Sequence, residues 1–281
     1  MNIGIIGLGL MGGSLGRALV KYTTHTVFGR DSAPGVIEKA AVFSAVHADL
    51  TDGNYGNIDL LFVCLNPRAT VNAIKEALPK LKEGALVCDI SGEKRLIFAE
   101  FTELSKRYPN INFVATHPMA GREFQGIEKA LPTLFKGASV ILTPVTQNIT
   151  AIETVIGVYR AIGAEHFVHS SAEEHDKNIA FTSQLPHLLS SCYIKSPTAE
   201  NEFGFSAGSF KDLSRVARMN ASMWTELMLD NRDNVSFELG QYIKHISEYK
   251  AAIDNNDAET LSALITQGTE RKLKIEQLRK Q

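Results

Sequence analysis

The stretch ATHPMAGREFQG at 115–126 concentrates residues that can do chemistry. An imidazole titrates near pH ~6.5 and can give or take a proton under ordinary conditions, and His117 is placed to do so. A short apolar run at 112–114 predicts the end of a strand, with His117 at its exit and Pro118 keeping the following turn out of helix. Gly121 and Gly126 permit backbone torsions or close approaches that a Cβ would hinder. Arg122 and Glu123 place a charged pair between them. A titratable group at the carboxyl end of a strand in an α/β fold is well sited for acid–base work.

A second group is Gly7-Leu8-Gly9-Leu10-Met11-Gly12, between an apolar strand at 2–6 and a helical apolar pattern at 14–20. This is GxGxxG in a strand–turn–helix context, which predicts a dinucleotide site. Gly7 permits the tight turn, Gly9 lets the backbone approach a pyrophosphate, and Gly12 lets helix and strand pack closely. The helix N-terminus supplies unpaired N–H groups and a partial positive charge. A second strand at 26–29 ends in Arg30-Asp31. An acid about 20 residues beyond the glycines is expected to bind the ribose hydroxyls, so Asp31 favours NAD. Arg30 beside it could instead pair with a 2′-phosphate, which leaves NADP open.

A third group lies in the latter half of the chain. Ser183-Gln184-Leu185-Pro186-His187 puts an imidazole just beyond a proline-disturbed helical turn. The run from Ser206 through Gly208 and Lys211 to Arg215 begins flexible and ends charged. A site for a small dianion would draw on Arg215 and Lys211 as cations and His187 as a donor.

These groups are positioned by an alternation of strand and helix signals through residue 168. Strands are predicted at 59–64, 86–90, 112–114, 139–142 and 165–168, with helices at 69–81, up to 107, and at 149–161. This implies an α/β, Rossmann-type, doubly wound parallel sheet with sites beyond the strands' carboxyl ends. Gly7, Leu65, Asn66, Ser91 and His117 would line that edge. After about residue 170 the strand signals stop. A helix is expected over 173–194, and apolar residues recur at helical spacing from Val235 to Ile253. Asp254-Asn255-Asn256 then form a turn before a charged helix over 257–280. The expected division is a dinucleotide-binding domain at 1–170 and an all-helical domain at 171–281 for substrate and dimerisation. The apolar stripe exceeds what a small helical lobe buries alone, which predicts a homodimer through these C-terminal helices.

Composition narrows the function classes. A chain of 281 residues, 44% hydrophobic and 21% charged, can bury a sizeable core. Its formal charge of −2 excludes a strongly basic polyanion-binding surface, so no nucleic-acid partner is expected. The longest apolar run, 60–65, is far too short to span a bilayer. With the first strand starting at residue 2, a leader peptide has no room, and a cytoplasmic protein is expected. Cys64, Cys88 and Cys192 lack metal-ligand spacing and lie in apolar surroundings, so core thiols in a reducing compartment are expected and no metal.

Taken together, GLGLMGGSLG at 7–16, THPMAGREFQG at 116–126, SQLPH at 183–187 and GSFKDLSRVA at 208–217, followed by Met223-Trp224, resemble the prephenate and arogenate dehydrogenase family of tyrosine biosynthesis. The resemblance covers nearly the whole chain. It implies that His117 is the catalytic base for the ring hydroxyl and that Glu123 borders the substrate site. Ser183, His187, Gly208 and Arg215 match pocket positions, with Arg215 as carboxylate partner of prephenate or arogenate. Two positions depart from the family pattern. Gly92 stands where a serine often supports the histidine, with Ser91 as the candidate to replace it, and Gln184 stands where a histidine is common. The implied reaction is NAD-dependent oxidative decarboxylation. The rival enzyme class, 3-hydroxyacid dehydrogenases and imine reductases, commonly uses a lysine of the second domain. A dinucleotide-sensing module without turnover would have no need of His117.

Overall fold

In the computed structural model, which describes residues 1–279, the strands form one sheet ordered β3-β2-β1-β4-β5-β6-β7-β8. These are β1 (Asn2–Ile6), β2 (Thr26–Arg30), β3 (Ala48–Asp49), β4 (Leu60–Val63), β5 (Leu86–Asp89), β6 (Asn112–Pro118), β7 (Ser139–Pro144) and β8 (His166–His169). The first six run parallel. Central parallel strands are covered on both faces, which is why Leu60–Val63 is apolar throughout and fully buried. Successive side chains alternate between the faces. Phe62 packs in one core with Leu15 and Leu19 of α1 (Leu10–Tyr22), while Leu61 and Val63 pack in the other. That second core also takes Ile74 of the helix Pro67–Ala77 and Phe101 of the helix Arg95–Arg107.

Three expectations are corrected here. The sheet is not parallel throughout, because β7 pairs with β6 antiparallel, with His117 opposite Ile141. The 118–139 connection contains only a three-residue 3₁₀ turn, Ile127–Lys129, whereas a parallel return needs a crossover of a dozen or more residues, usually a helix. Pairing with β7 also extends β6 through Pro118, so His117 belongs to the strand and not to a loop after Val114. The thiols differ from expectation too. Cys88 is buried and Cys64 half-buried, but Cys192 is exposed.

Beyond β8 the chain turns helical. One element, Ala172–Ile179, passes through a widened π turn, Ala180–Gln184, into the helix Leu185–Ile194. The widened turn immediately precedes Pro186, which has no N–H to continue a regular ladder. The helices Gly208–Ser214 and Ala221–Asp230 follow, the latter capped by Asn220, whose side chain accepts from the Met223 N–H. All these helices belong to one compact unit with the sheet, Met1–Asn231. The second unit, starting at Arg232, is a pair of long helices, Arg232–Asp254 and Ala258–Leu278. Asn256 turns the chain with φ 51°, Asp257 caps the last helix by accepting from the Thr260 N–H, and Tyr249 donates to the Leu264 carbonyl. The expected helix end at Lys280 lies outside the described residues. Among the described residues no helix is long and apolar enough to cross a membrane.

Candidate functional site

The glycine turn is shaped by sterics of two different kinds. Gly7 adopts φ +89°, and a Cβ there would lie 2.6 Å from the Cys64 carbonyl oxygen. A Cβ on Gly12 would lie 1.9 Å from the Gly7 oxygen, so both glycines close the strand–helix corner. Gly9 is exposed, and a Cβ there would meet no protein atom within 4 Å. Gly9 also precedes α1 with no side-chain cap, which leaves the first-turn N–H groups of Leu10 and Met11 available. This corner therefore fits a diphosphate, with open space at the one glycine that packing does not require. Leu8 is fully buried in the core and its N–H donates to Asp31 Oδ2 at 2.7 Å. Arg30 is engaged by Asp52 at 3.0 Å. Asn66 precedes the helix that Pro67 begins, and Leu65 packs beside Gly7.

At the carboxyl ends of β5 and β6, a network of buried ionisable groups surrounds His117. Its Nδ1 lies 2.8 Å from His175 Nε2, and His175 Nδ1 lies 2.7 Å from Asp176 Oδ1. Asp176 also accepts from the N–H groups of Lys94 and Arg95 and from the Arg95 side chain. Lys94, fully buried, pairs with the equally buried Asp89 at 2.6 Å and donates to the Ser91 and Glu93 carbonyls. Asp89 Oδ1 in turn accepts from the Thr116 N–H, tying the network to the strand that carries His117. Such a set is stable only because each buried charge is paired or hydrogen-bonded.

The network shifts several proton affinities. Burial, then His175 and the Lys94 ammonium, hold His117 well below the ordinary imidazole value of 6.5. Burial likewise lowers His175, against the pull of Asp176. Burial would raise Asp176, but hydrogen bonds from His175, Glu93 and the Lys94 and Arg95 N–H groups outweigh it and keep the carboxyl well below its usual range. Glu93 moves the other way: burial first, then the adjoining Asp176 carboxylate, push it up to about 8.

The expected substrate residues fall into two contacts. Arg215 pairs with Glu123, joining the HPMAGRE segment to the GSFKDLSR segment. His187 donates from Nδ1 to the Ser183 carbonyl, 2.8 Å away, and its ring lies 4.0 Å from that of Trp224. Its proton affinity is lowered by burial, against the pull of the Ser183 carbonyl. Gly208 begins its helix in an exposed position. Ser91 is buried, but its hydroxyl has no hydrogen-bond partner among the described residues. The position facing the imidazole is Gly92, where a Cβ would sit 4.0 Å from His117 Cε1.

Sequence reasoning missed His175, Asp176, Glu93, Lys94 and Asp89. In Glu173-Glu174-His175-Asp176 the charge density suggests a solvated face. Spacing carried the opposite signal: Ala172, His175, Asp176 and Ile179 recur at i, i+3, i+4 and i+7, and all four are buried. Gln184, noted as a departure, donates to the Leu227 carbonyl and accepts from Asn231, and so serves packing of the helices around the network.

Two family models match consecutive parts of the chain: "Prephenate dehydrogenase, nucleotide-binding domain" over residues 15–168 and "Prephenate dehydrogenase, dimerization domain" over residues 171–267. The cyclohexadienyl dehydrogenase of Zymomonas mobilis is 31% identical over 271 residues, covering 92% of this chain and 91% of that relative. The prephenate dehydrogenase of Bacillus subtilis is 29% identical over 276 residues, covering 92% of this chain and 71% of that protein. The structure of prephenate dehydrogenase from A. aeolicus in complex with hydroxyphenyl propionate and NAD+ superposes with a TM-score of 0.84 at 26% identity, covering 98% of each chain.

Proposed function

The chain belongs to the prephenate dehydrogenase family, and on that premise we propose that it catalyses the NAD-dependent oxidative decarboxylation of prephenate, or of its amino counterpart arogenate, in tyrosine biosynthesis. The observation that carries this reading is the imidazole of His117, held on the same sheet edge as the glycine turn, with Nδ1 engaged by His175. Bound NAD supplies the hydride acceptor. Gly7, Leu8, Gly9, Leu10, Met11 and Gly12 form its diphosphate cradle, with Leu65 and Asn66 at the neighbouring strand end. Asp31 stands for the ribose hydroxyls, and the pairing of Arg30 with Asp52 supports NAD over NADP.

His117 Nε2 accepts the proton of the ring hydroxyl. The O–H electrons form the carbonyl as hydride leaves the same carbon. The ring carboxylate then departs as carbon dioxide, its C–C bond electrons pass through the ring to that carbonyl oxygen, and the oxygen takes the proton back from His117 to leave a phenol. Arg215 orients a substrate carboxylate, its five donors allowing it to serve both Glu123 and that group. Ser183, His187 and Gly208 border the same site, and Ser91 is the candidate to support His117. Because aromatisation favours the reaction strongly, the protein's task is orientation and electrostatic complementarity.

NADH formation, followed with prephenate and arogenate against NAD and NADP, tests the reading. Turnover of either acid with NAD is expected, and no turnover with either would remove it. In this reading residues 1–170 hold the cofactor, and 171–281 supply substrate contacts and the interface of a homodimer. The dimer is supported by the family description of 171–267 and by exposed Tyr242, Ile243, Ile246 and Ile253 on one long helix. Light scattering at micromolar concentration is expected to give twice the chain mass, and a monomer would exclude it. A cytoplasmic location fits three free cysteines, one of them exposed.

A further inference from the structure

We propose that His175 and Asp176 form a positioning relay that fixes His117 in its Nδ1–H tautomer, leaving the Nε2 lone pair as the base. The proposal rests on the reading above for the identity of the reaction, but the tautomer itself is independent of any substrate. The argument runs along one line of atoms: Asp176 Oδ1, His175 Nδ1 at 2.7 Å, then His175 Nε2, and His117 Nδ1 at 2.8 Å. An ionised carboxylate only accepts, so His175 must donate from Nδ1. A neutral His175 then has its lone pair on Nε2, and His117 must donate to it from Nδ1.

Every neighbouring element supports this assignment. Asp176 is held ionised by N–H donors from Lys94 and Arg95 and by the Arg95 side chain. Lys94, whose positive charge would otherwise favour a reversed arrangement, is paired with Asp89 and saturated by two carbonyls. Glu93 lies against Asp176, and its raised affinity makes it a proton donor there at neutral pH. Burial keeps His175 neutral, so it cannot donate from both nitrogens. At its Cε1 edge the His117 ring faces Gly92, which has no side chain to hold it. The charged or titratable groups around His117 are therefore His175, Asp176, Lys94, Glu93, Asp89 and Arg95.

The test uses the full-length protein with ¹⁵N-labelled histidine, His117 being assigned by the signals lost in His117→Asn. The unmodified protein is expected to show a protonated Nδ1 and an unprotonated Nε2 on His117 at pH 7. His175→Phe removes the acceptor, so His117 should redistribute toward Nε2–H, with kcat falling by about 10²–10⁴-fold, the worth of a positioned base, and NAD affinity unchanged. His175→Gln can place its amide oxygen where Nε2 stood, and should recover the Nδ1–H tautomer and most of the rate. Nε2–H on His117 in the unmodified protein would overturn the proposal. An Nδ1–H tautomer that persists in a folded His175→Phe would overturn it as well. The expected tautomers in a protein inactive on both substrates would leave the relay standing and remove the functional reading instead.

Discussion

The glycine turn after β1 and the ionisable network beyond β5 and β6 lie on one sheet edge but are built on opposite principles. The turn contains no charge and works by leaving atoms out: two glycines are filled by packing and one by nothing in the chain. The network works by paired charges in a dry interior, where Lys94 and Asp89 have no exposure at all. The turn tolerates almost no added volume, and the network almost no unbalanced charge. Binding a diphosphate asks for space and N–H groups, whereas moving a proton asks for a tuned affinity, and in the proposed function each task falls to a different kind of construction.

The largest expected effect lies in the network. His117→Asn should lower kcat by about 10²–10⁴-fold with KM for NAD nearly unchanged. The pH profile sharpens this. The base must be neutral to act, and burial holds its affinity below 6.5, so the acid limb of kcat/KM should fall below pH 6.5 and should vanish in the residual activity of the variant. A limb that survives in His117→Asn would assign it to another group, with His187 next to test.

The turn supplies the second pair of variants. Gly12→Ala forces a Cβ to within 1.9 Å of the Gly7 oxygen and should destabilise the fold by about 1–3 kcal/mol or more, seen as a lower melting temperature without ligand. Gly9→Ala meets nothing in the chain and should leave unliganded stability within about 0.5 kcal/mol while weakening NAD binding. Equal melting losses for the two variants would break the distinction between a packing glycine and a ligand-facing one.

Arg215→Ala comes next. It should raise KM for prephenate by roughly tenfold to a hundredfold, the effect of losing a charged hydrogen bond worth about 1.5–3 kcal/mol, and leave KM for NAD alone. An unchanged prephenate KM would shift the carboxylate contact to Lys211. The smallest effect is expected from Glu93→Gln. Glu93 is raised in the folded state from 4.5 to about 8, so the stability its protonated form contributes is fully present below pH 4.5 and is lost as pH rises from there through 8. The amide cannot ionise, so the variant should melt about 2–4 °C higher than the unmodified protein at pH 9, with the gap closing as pH falls from 8 toward 4.5. Parallel melting curves from pH 6 to 9 would show that Glu93 does not carry that proton.

The sequence by itself determined the elements whose causes are local. The apolar runs at 2–6 and 60–63, the glycine spacing and the fall-off of strand signals after residue 168 depend on neighbours a few residues away, so periodicity and turn chemistry suffice to find them. His117 was also legible, because its surroundings in the chain are unusual. The antiparallel turn of β7 was less so: its only local trace is a missing crossover helix between 118 and 139, and that omission extends β6 through His117. The rest was decided by tertiary structure. His175 and Asp176 lie 58 and 82 positions from the groups they bind, His117 and Lys94, and a charged run on a helix is solvated unless something covers it. Only the packing of that helix over the ends of β5 and β6 removes the water, and desolvation is what turns ordinary charged residues into a network that sets the proton affinity of His117.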